Sequence, residues 1–286
     1  FYSISIEFIK IVFNFFKKSK RILLFLFKEG IIKLDKKIFD EIFYNKDYSY
    51  YFFNVIKPFL RTKTKESIEK QMQEIYCVDF EKFEENVKTG ENDSYICELI
   101  RNDSIDKFIA YVNLKNKNLS SNVDDSIFET NKFLIKRKPN LIEYAAFFGS
   151  EQIFKYLYLN GAKLSQSLWL YSVHGQNQEI FQILVDNDVQ PEDNTFSQVF
   201  KESIKCHDAQ VSEYIISNYV KDIDENKLIL NSCSIKYSNY LFFPEKLSDS
   251  FSFFQLCKYN YYTIVKYLIE NVKLDVNKII VLILLF

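Results

Sequence analysis

Apolar positions in the second half of the chain recur at i, i+3 and i+4 in four places: Ile153, Tyr156 and Leu157; Ile180, Ile183 and Leu184; Val211, Tyr214 and Ile215; Ile264, Tyr267 and Leu268. That spacing lines up one buried face of an amphipathic helix. Ahead of each triplet, across a short polar turn, ends another apolar helix. The stretches AAFFGSEQIFKYL, SVHGQNQEIFQIL, SIKCHDAQVSEYI and LCKYNYYTIVKYL therefore superpose, at successive offsets of 27, 31 and 53 residues. Each unit reads as a helix–turn–helix pair. Such a pair cannot bury its apolar face alone, and stacking against its neighbours completes a core. The prediction is an all-α helical-repeat solenoid.

Small residues gather where this pattern is clearest. Only five glycines occur in 286 residues, yet Gly149, Gly161 and Gly175 fall within or close to the first unit, and Ala145 and Ala146 interrupt a field of aromatics. The two alanines sit where a short helix must approach its neighbours closely. Gly149 falls just past the first helix and Gly161 just past the second, where a left-handed residue ends the turn.

The first ninety residues carry a weaker version of the pattern. Ile22, Phe25 and Leu26 repeat the triplet ahead of Gly30. Further helices are expected near 36–45, 48–60 and 65–88, with Pro58 and Gly90 as punctuation. We read residues 1–90 as an N-terminal α-helical region, either a cap over the first repeat or further degenerate pairs. Residues 91–286 form the repeat region, clearest at 140–220 and 252–277.

Composition adds bulk rather than chemistry. Phe and Tyr number 29 and 20, hydrophobic residues reach 48% and the net charge is −1. A near-neutral, apolar chain is not a disordered one and has no general attraction for nucleic acid or anionic lipid. Five scattered cysteines, Cys77, Cys97, Cys206, Cys233 and Cys257, form no CxxC pair and fit reduced thiols in the cytoplasm. The sequence opens at Phe1 without Met and stops in the run IIVLILLF, which carries the expectation of a fragment. The oily N-terminal segment is broken by Glu7, Lys10 and the cluster Lys17–Arg21. With Ile279–Phe286 too short to span a bilayer, membrane association is not favoured.

The stretch NLIEYAAFFGSEQIFKYLYLNGAKL resembles an ankyrin repeat, with consensus TPLHLAAxxGHxEIVKLLLxxGAxV. Asn140, Leu141, Ile142 and Glu143 take the TPLH positions, and Ala145, Ala146, Gly149, Ile153, Leu157, Gly161 and Ala162 match directly. The region from about 91 to 277 is similar to divergent ankyrin proteins expanded in protozoan families. In ELIRNDSIDKFIAYV, a degenerate unit, Asp103 stands where Gly would be. Leu141 and Glu143 replace the family's Pro and His, so its capping hydrogen bonds do not carry over. The 27-residue offset leaves no room for a full β-hairpin finger. The 53-residue offset implies an insert at about 223–250, either a long loop or another degenerate helix.

The resemblance implies a non-enzymatic scaffold that binds a partner protein through its concave face. The two positions after the Ala-Ala pair face that groove in ankyrin repeats. Carried over, they are Phe147 and Phe148, His174 and Gly175, Lys205 and Cys206, Lys258 and Tyr259; the candidate contacts are Phe147, Phe148, His174, Lys205, Lys258 and Tyr259, with the two phenylalanines either exposed as an aromatic anchor or packed against a neighbouring helix or the N-terminal region. No GxSxG, Walker or GxGxxG motif occurs. Both histidines, His174 and His207, are placed in turns. Cys206 beside His207 is a conceivable nucleophile or metal pair, but adjacent residues do not share a helix face, and an ordinary turn is preferred. No metal or cofactor is expected. Glu81, Glu84 and Glu85 read as a solvated helix face balancing Lys82 and Lys88. Lys17–Arg21 and Lys136–Lys138 read as solvated surface, without nucleic acid as partner. Trp169, aligned with Ile142, reads as core.

Overall fold

Among the described residues every regular element is a helix. The structure, a computed structural model, describes residues 6–16, 19–219 and 223–272, without the side chains of 6–10 and 223–229. Lys17, Lys18 and the run Ile279–Phe286 lie outside them. The chain divides into two compact units, residues 1–141 and 142–286, so residues 91–141 fall in the first.

The first unit holds α1 (Ile6–Phe16), α2 (Lys20–Lys28), α3 (Lys36–Phe43), α4 (Lys46–Tyr51), α5 (Phe53–Ile56), α6 (Thr62–Tyr76), α7 (Phe83–Thr89), α8 (Tyr95–Arg101), α9 (Ile105–Leu114) and α10 (Lys132–Arg137). Its core is aromatic. Phe52, Phe53, Phe83 and Phe128 are buried, and Phe83 meets Phe128 edge to face at 5.4 Å. Buried Tyr51 donates its hydroxyl to the Val87 carbonyl at 2.9 Å, and burial pushes its phenol up to about 12. The expected helix over 65–88 is two helices. Cys77 takes a left-handed conformation (φ 51°) and ends α6, leaving Glu81 outside any helix. Glu84 pairs with Lys28 at 3.2 Å and accepts from Asn54, so it does not balance Lys82 and Lys88 as expected. Lys138 pairs with Asp125 at 2.9 Å. Helices α8 and α9 form the degenerate pair, with Asp103 left-handed between them (φ 45°).

The second unit contains the clear pairs: α11 (Leu141–Phe148, its first residue in the first unit) with α12 (Glu151–Leu159), α13 (Leu168–Gly175) with α14 (Gln178–Asp186), and α15 (Ser197–Cys206) with α16 (Ala209–Tyr219). Then follow α17 (Ile223–Lys236), a 3-10 turn at Tyr240–Phe242, α18 (Ser250–Lys258) and α19 (Tyr262–Asn271). Three packings make one row of first helices: α13 on α15, α15 on α17, and α17 on α18. Among second helices α12 packs on α14. In the second helices, Ile153, Leu157, Ile180, Leu184, Val211 and Ile215 are all buried, as is Leu268, while Ile264 is half-buried. The middle member of each triplet is less covered, as the edge of an apolar stripe should be.

Each first helix of this unit stops on a left-handed residue: Gly149, Gln176, His207, Ser238 and Asn260. In four of the five the next amide reaches back into the last turn, as from Ser150 to the Ala145 carbonyl (2.9 Å), Asp208 to Ser203 (3.0 Å), Asn239 to Ser234 (2.9 Å) and Tyr261 to Leu256 (2.9 Å). These bonds satisfy carbonyls that a helix end leaves open. Ser238 lies 31 residues after His207, so the insert is not a loop but a further first helix, α17, whose partner has shrunk to the 3-10 turn.

The position of Ala145 recurs as Ser172, Ser203 and Ser234, and all four are buried. Each serine hydroxyl donates to the carbonyl three residues earlier, at Trp169 (2.9 Å), Phe200 (2.8 Å) and Asn231 (3.1 Å). A small side chain that satisfies its own polar atom lets neighbouring helices close in without an orphaned hydroxyl. Glu143 accepts from Ser165 (3.2 Å) and Ser167 at the entry to α13. Trp169 is buried against Phe181 and Phe196, with Nε1 donating to the Val189 carbonyl at 2.6 Å.

Candidate functional site

Five of the predicted groove positions, Phe147, Phe148, His174, Lys205 and Cys206, come together. Phe147 on α11 stacks on the His174 ring of α13, with centroids 4.7 Å apart and planes 28° apart. His174 Nε2 lies 2.9 Å from Glu202 Oε1 on α15, and Lys205 Nζ lies 2.5 Å from the same oxygen. Phe148 packs edge-on to Phe147 at 5.0 Å. Lys258 and Tyr259 sit at the end of α18, the ammonium 5.6 Å from the Tyr259 ring centre.

One open alternative is decided and one expectation needs correction. Phe147 is not an exposed anchor: it is buried, because His174 covers one face of the ring and Phe148 meets its edge, while Phe148 is half-buried. His174 is not in a turn. Helix α13 runs through Gly175, and the left-handed residue is Gln176.

Cys206 and His207 do not act as a pair. Cys206 is the last residue of α15, whereas His207 turns left-handed (φ 58°) and places Nε2 3.1 Å from the Tyr237 carbonyl. The Cys206 sulfur faces the preceding repeat instead, 3.5 Å from His174 Nδ1 and 3.9 Å from Nε2. One tautomer satisfies this set: His174 Nε2–H donates to Glu202, and Nδ1 accepts from the thiol.

His174, Glu202 and Cys206 thus bring together three ligand-type atoms lying within 4.8 Å of one another. Burial would raise the Glu202 carboxyl, but hydrogen bonds from His174 and Lys205 outweigh it and hold the group down to about 2. Burial pushes the Cys206 thiol up to about 12, and the Glu202 charge adds to this. The thiol also sits at the negative end of the α15 dipole, the reverse of the setting that makes a nucleophilic thiolate. The cluster holds a neutral thiol, a carboxylate and an imidazole, all partly shielded from water.

Glu202 and the Cys206–His174 relation escaped the sequence reading. Glu202 and Cys206 are four apart on one helix, a visible signal. His174 joins them only through the register between repeats.

Compared with known protein families, with curated proteins and with solved structures, the chain matches none. Among the described residues no helix is long and apolar enough to cross a membrane.

Proposed function

We propose that the second unit is a divergent ankyrin-type helical repeat and that the protein is a non-enzymatic scaffold. It binds a partner protein through the row of positions following the small residues of each first helix. The observation that carries this reading is the contiguity of Phe147, His174 and Lys205, equivalent positions in three successive repeats, joined through Glu202. Phe147 supports the row from beneath, and Phe148, His174, Lys205, Lys258 and Tyr259 supply the contacts. Half-buried aromatic surface beside exposed lysines suits a protein partner, where aromatic anchors and charged rims combine.

The test is a photo-crosslinking residue placed in the full chain at Lys205 or, as control, at Gln182 on the outer side of α14. A partner captured from the source cells at Lys205 and not at Gln182 supports the reading. Capture at Gln182 alone would refute it.

A second reading rests on the first unit, where Ile11, Phe15, Ile22 and Phe25 of α1 and α2 are exposed. These side chains would insert at a membrane surface. Co-sedimentation of the full chain with vesicles, lost in F15E/F25E, tests that alternative.

A further inference from the structure

We infer that His174, Glu202 and Cys206 form a binding site for a zinc-class divalent cation, clasping two consecutive repeats. Imidazole, thiolate and carboxylate are the donors that borderline-soft cations such as Zn²⁺ take. They come from different elements, His174 from α13 and both others from α15, so a bound ion would link the two helices.

The geometry is nearly that of a tetrahedral site. Metal–ligand lengths for sulfur, nitrogen and oxygen place tetrahedral ligand atoms about 3.4 to 3.6 Å apart. Here Cys206 Sγ and His174 Nε2 are 3.9 Å apart, and Nε2 and Glu202 Oε1 are 2.9 Å apart. All three ligand atoms lie within 4.8 Å of one another, so shifts of up to about an ångström bring the hydrogen-bonded cluster to one face of a coordination tetrahedron. The fourth position falls to water, as in sites with three protein ligands.

The electrostatics favour a cation. His174 lies in the last turn of α13 and Cys206 ends α15, so two helix C-termini, each carrying partial negative charge, converge on the cluster. With Glu202 ionised and Cys206 deprotonated, a divalent ion brings the set to neutrality. Binding at Nε2 requires the His174 ring proton to move from Nε2 to Nδ1, and it releases the thiol proton to solvent, so affinity rises with pH. Lys205 is the competing charge: its ammonium already sits on Glu202, and being partly exposed it can swing out into water.

The test uses the full chain with Cys77 and Cys257, the exposed thiols, replaced by serine to remove adventitious binding. Co²⁺ is titrated first, then Zn²⁺. One equivalent of Co²⁺ should produce a thiolate-to-cobalt charge-transfer band that Zn²⁺ abolishes, and Zn²⁺ should raise Tm. C206S should lose the band and the Tm shift while keeping the helical circular dichroism of the parent. H174Q and E202Q should weaken binding at least tenfold. K205M should bind more tightly than the parent, an effect that a merely structural role for the cluster would not produce. The inference is overturned if no band appears with metal in tenfold excess over protein. It is equally overturned if the band survives C206S.

Discussion

Gly149 and Gly175 meet backbone to backbone, with no space for a side chain on either. A Cβ on Gly175 would stand 2.1 Å from the Ala146 carbonyl oxygen, and one on Gly149 would stand 2.6 Å from the Gly175 carbonyl oxygen. Real Cβ atoms essentially never come so close, and backbone on both sides cannot swing away. G175A should therefore destabilise the protein by about 3 kcal/mol or more. G161A is the control: its Cβ meets nothing within 4 Å, but its φ of 91° disfavours any side chain. That strain should cost only about 1 to 2 kcal/mol. Urea unfolding of the two variants measures the gap; equal losses would mean that the close approach of α11 and α13 does not limit stability.

Glu202 predicts an acid limb. Its carboxyl is held down to about 2 in the folded protein against an ordinary 4.5, so the unfolded chain takes up the proton first as pH falls. The stabilisation is complete above pH 4.5 and disappears as pH drops through the folded value. The full effect is on the order of 3 kcal/mol. In chelator, the stability of the parent relative to E202Q should fall as pH drops from 4.5 to about 2. A constant difference across the acid range would show that Glu202 is not held ionised.

The turns are laced together in a repeated way. Gln176 Nε2 donates to the Cys206 carbonyl at 3.1 Å, and 31 residues later His207 Nε2 meets the Tyr237 carbonyl at the same distance. H207A should lose about 1 kcal/mol, the worth of one such bond. H207Q, which borrows the side chain used one repeat earlier, should recover most of it. Chemical denaturation distinguishes them, and indistinguishable variants would remove the ladder as a source of stability.

Trp169, the only tryptophan in the sequence, reports on the α13–α15 junction. Buried between Phe181 and Phe196, it should emit in the blue and resist quenching by iodide. W169F, which leaves the Val189 carbonyl without its indole donor, should cost about 1 to 3 kcal/mol. Red-shifted, readily quenched emission from the native state would contradict this packing.

The helix pairs were legible because a 3.6-residue period survives any choice of apolar side chain, and Ile153, Ile180 and Val211 keep it. Helix α17 stayed open between a loop and a degenerate helix, because its partner has dwindled to one turn at Tyr240–Phe242 and no triplet follows Ser238. The break between α6 and α7 was hidden because Cys77, neither Gly nor Pro, supplies the left-handed residue. The burial of Phe147 stayed an open alternative for another reason: it depends on a ring, His174, that comes from the next repeat. Local pattern fixes which faces are oily. Only the register between repeats decides which side chains meet across them, and with it the company Cys206 keeps.

The two rungs between turns each tie one repeat to its immediate neighbour. The far end has its own small oily nucleus, Ile235, Phe253, Leu256 and Leu268, so it does not depend on the packing around Trp169. A stack joined only at successive junctions has no keystone. Damage at one joint lets the end beyond it peel away while the remainder holds, and whatever grips two adjacent joints at once stiffens both.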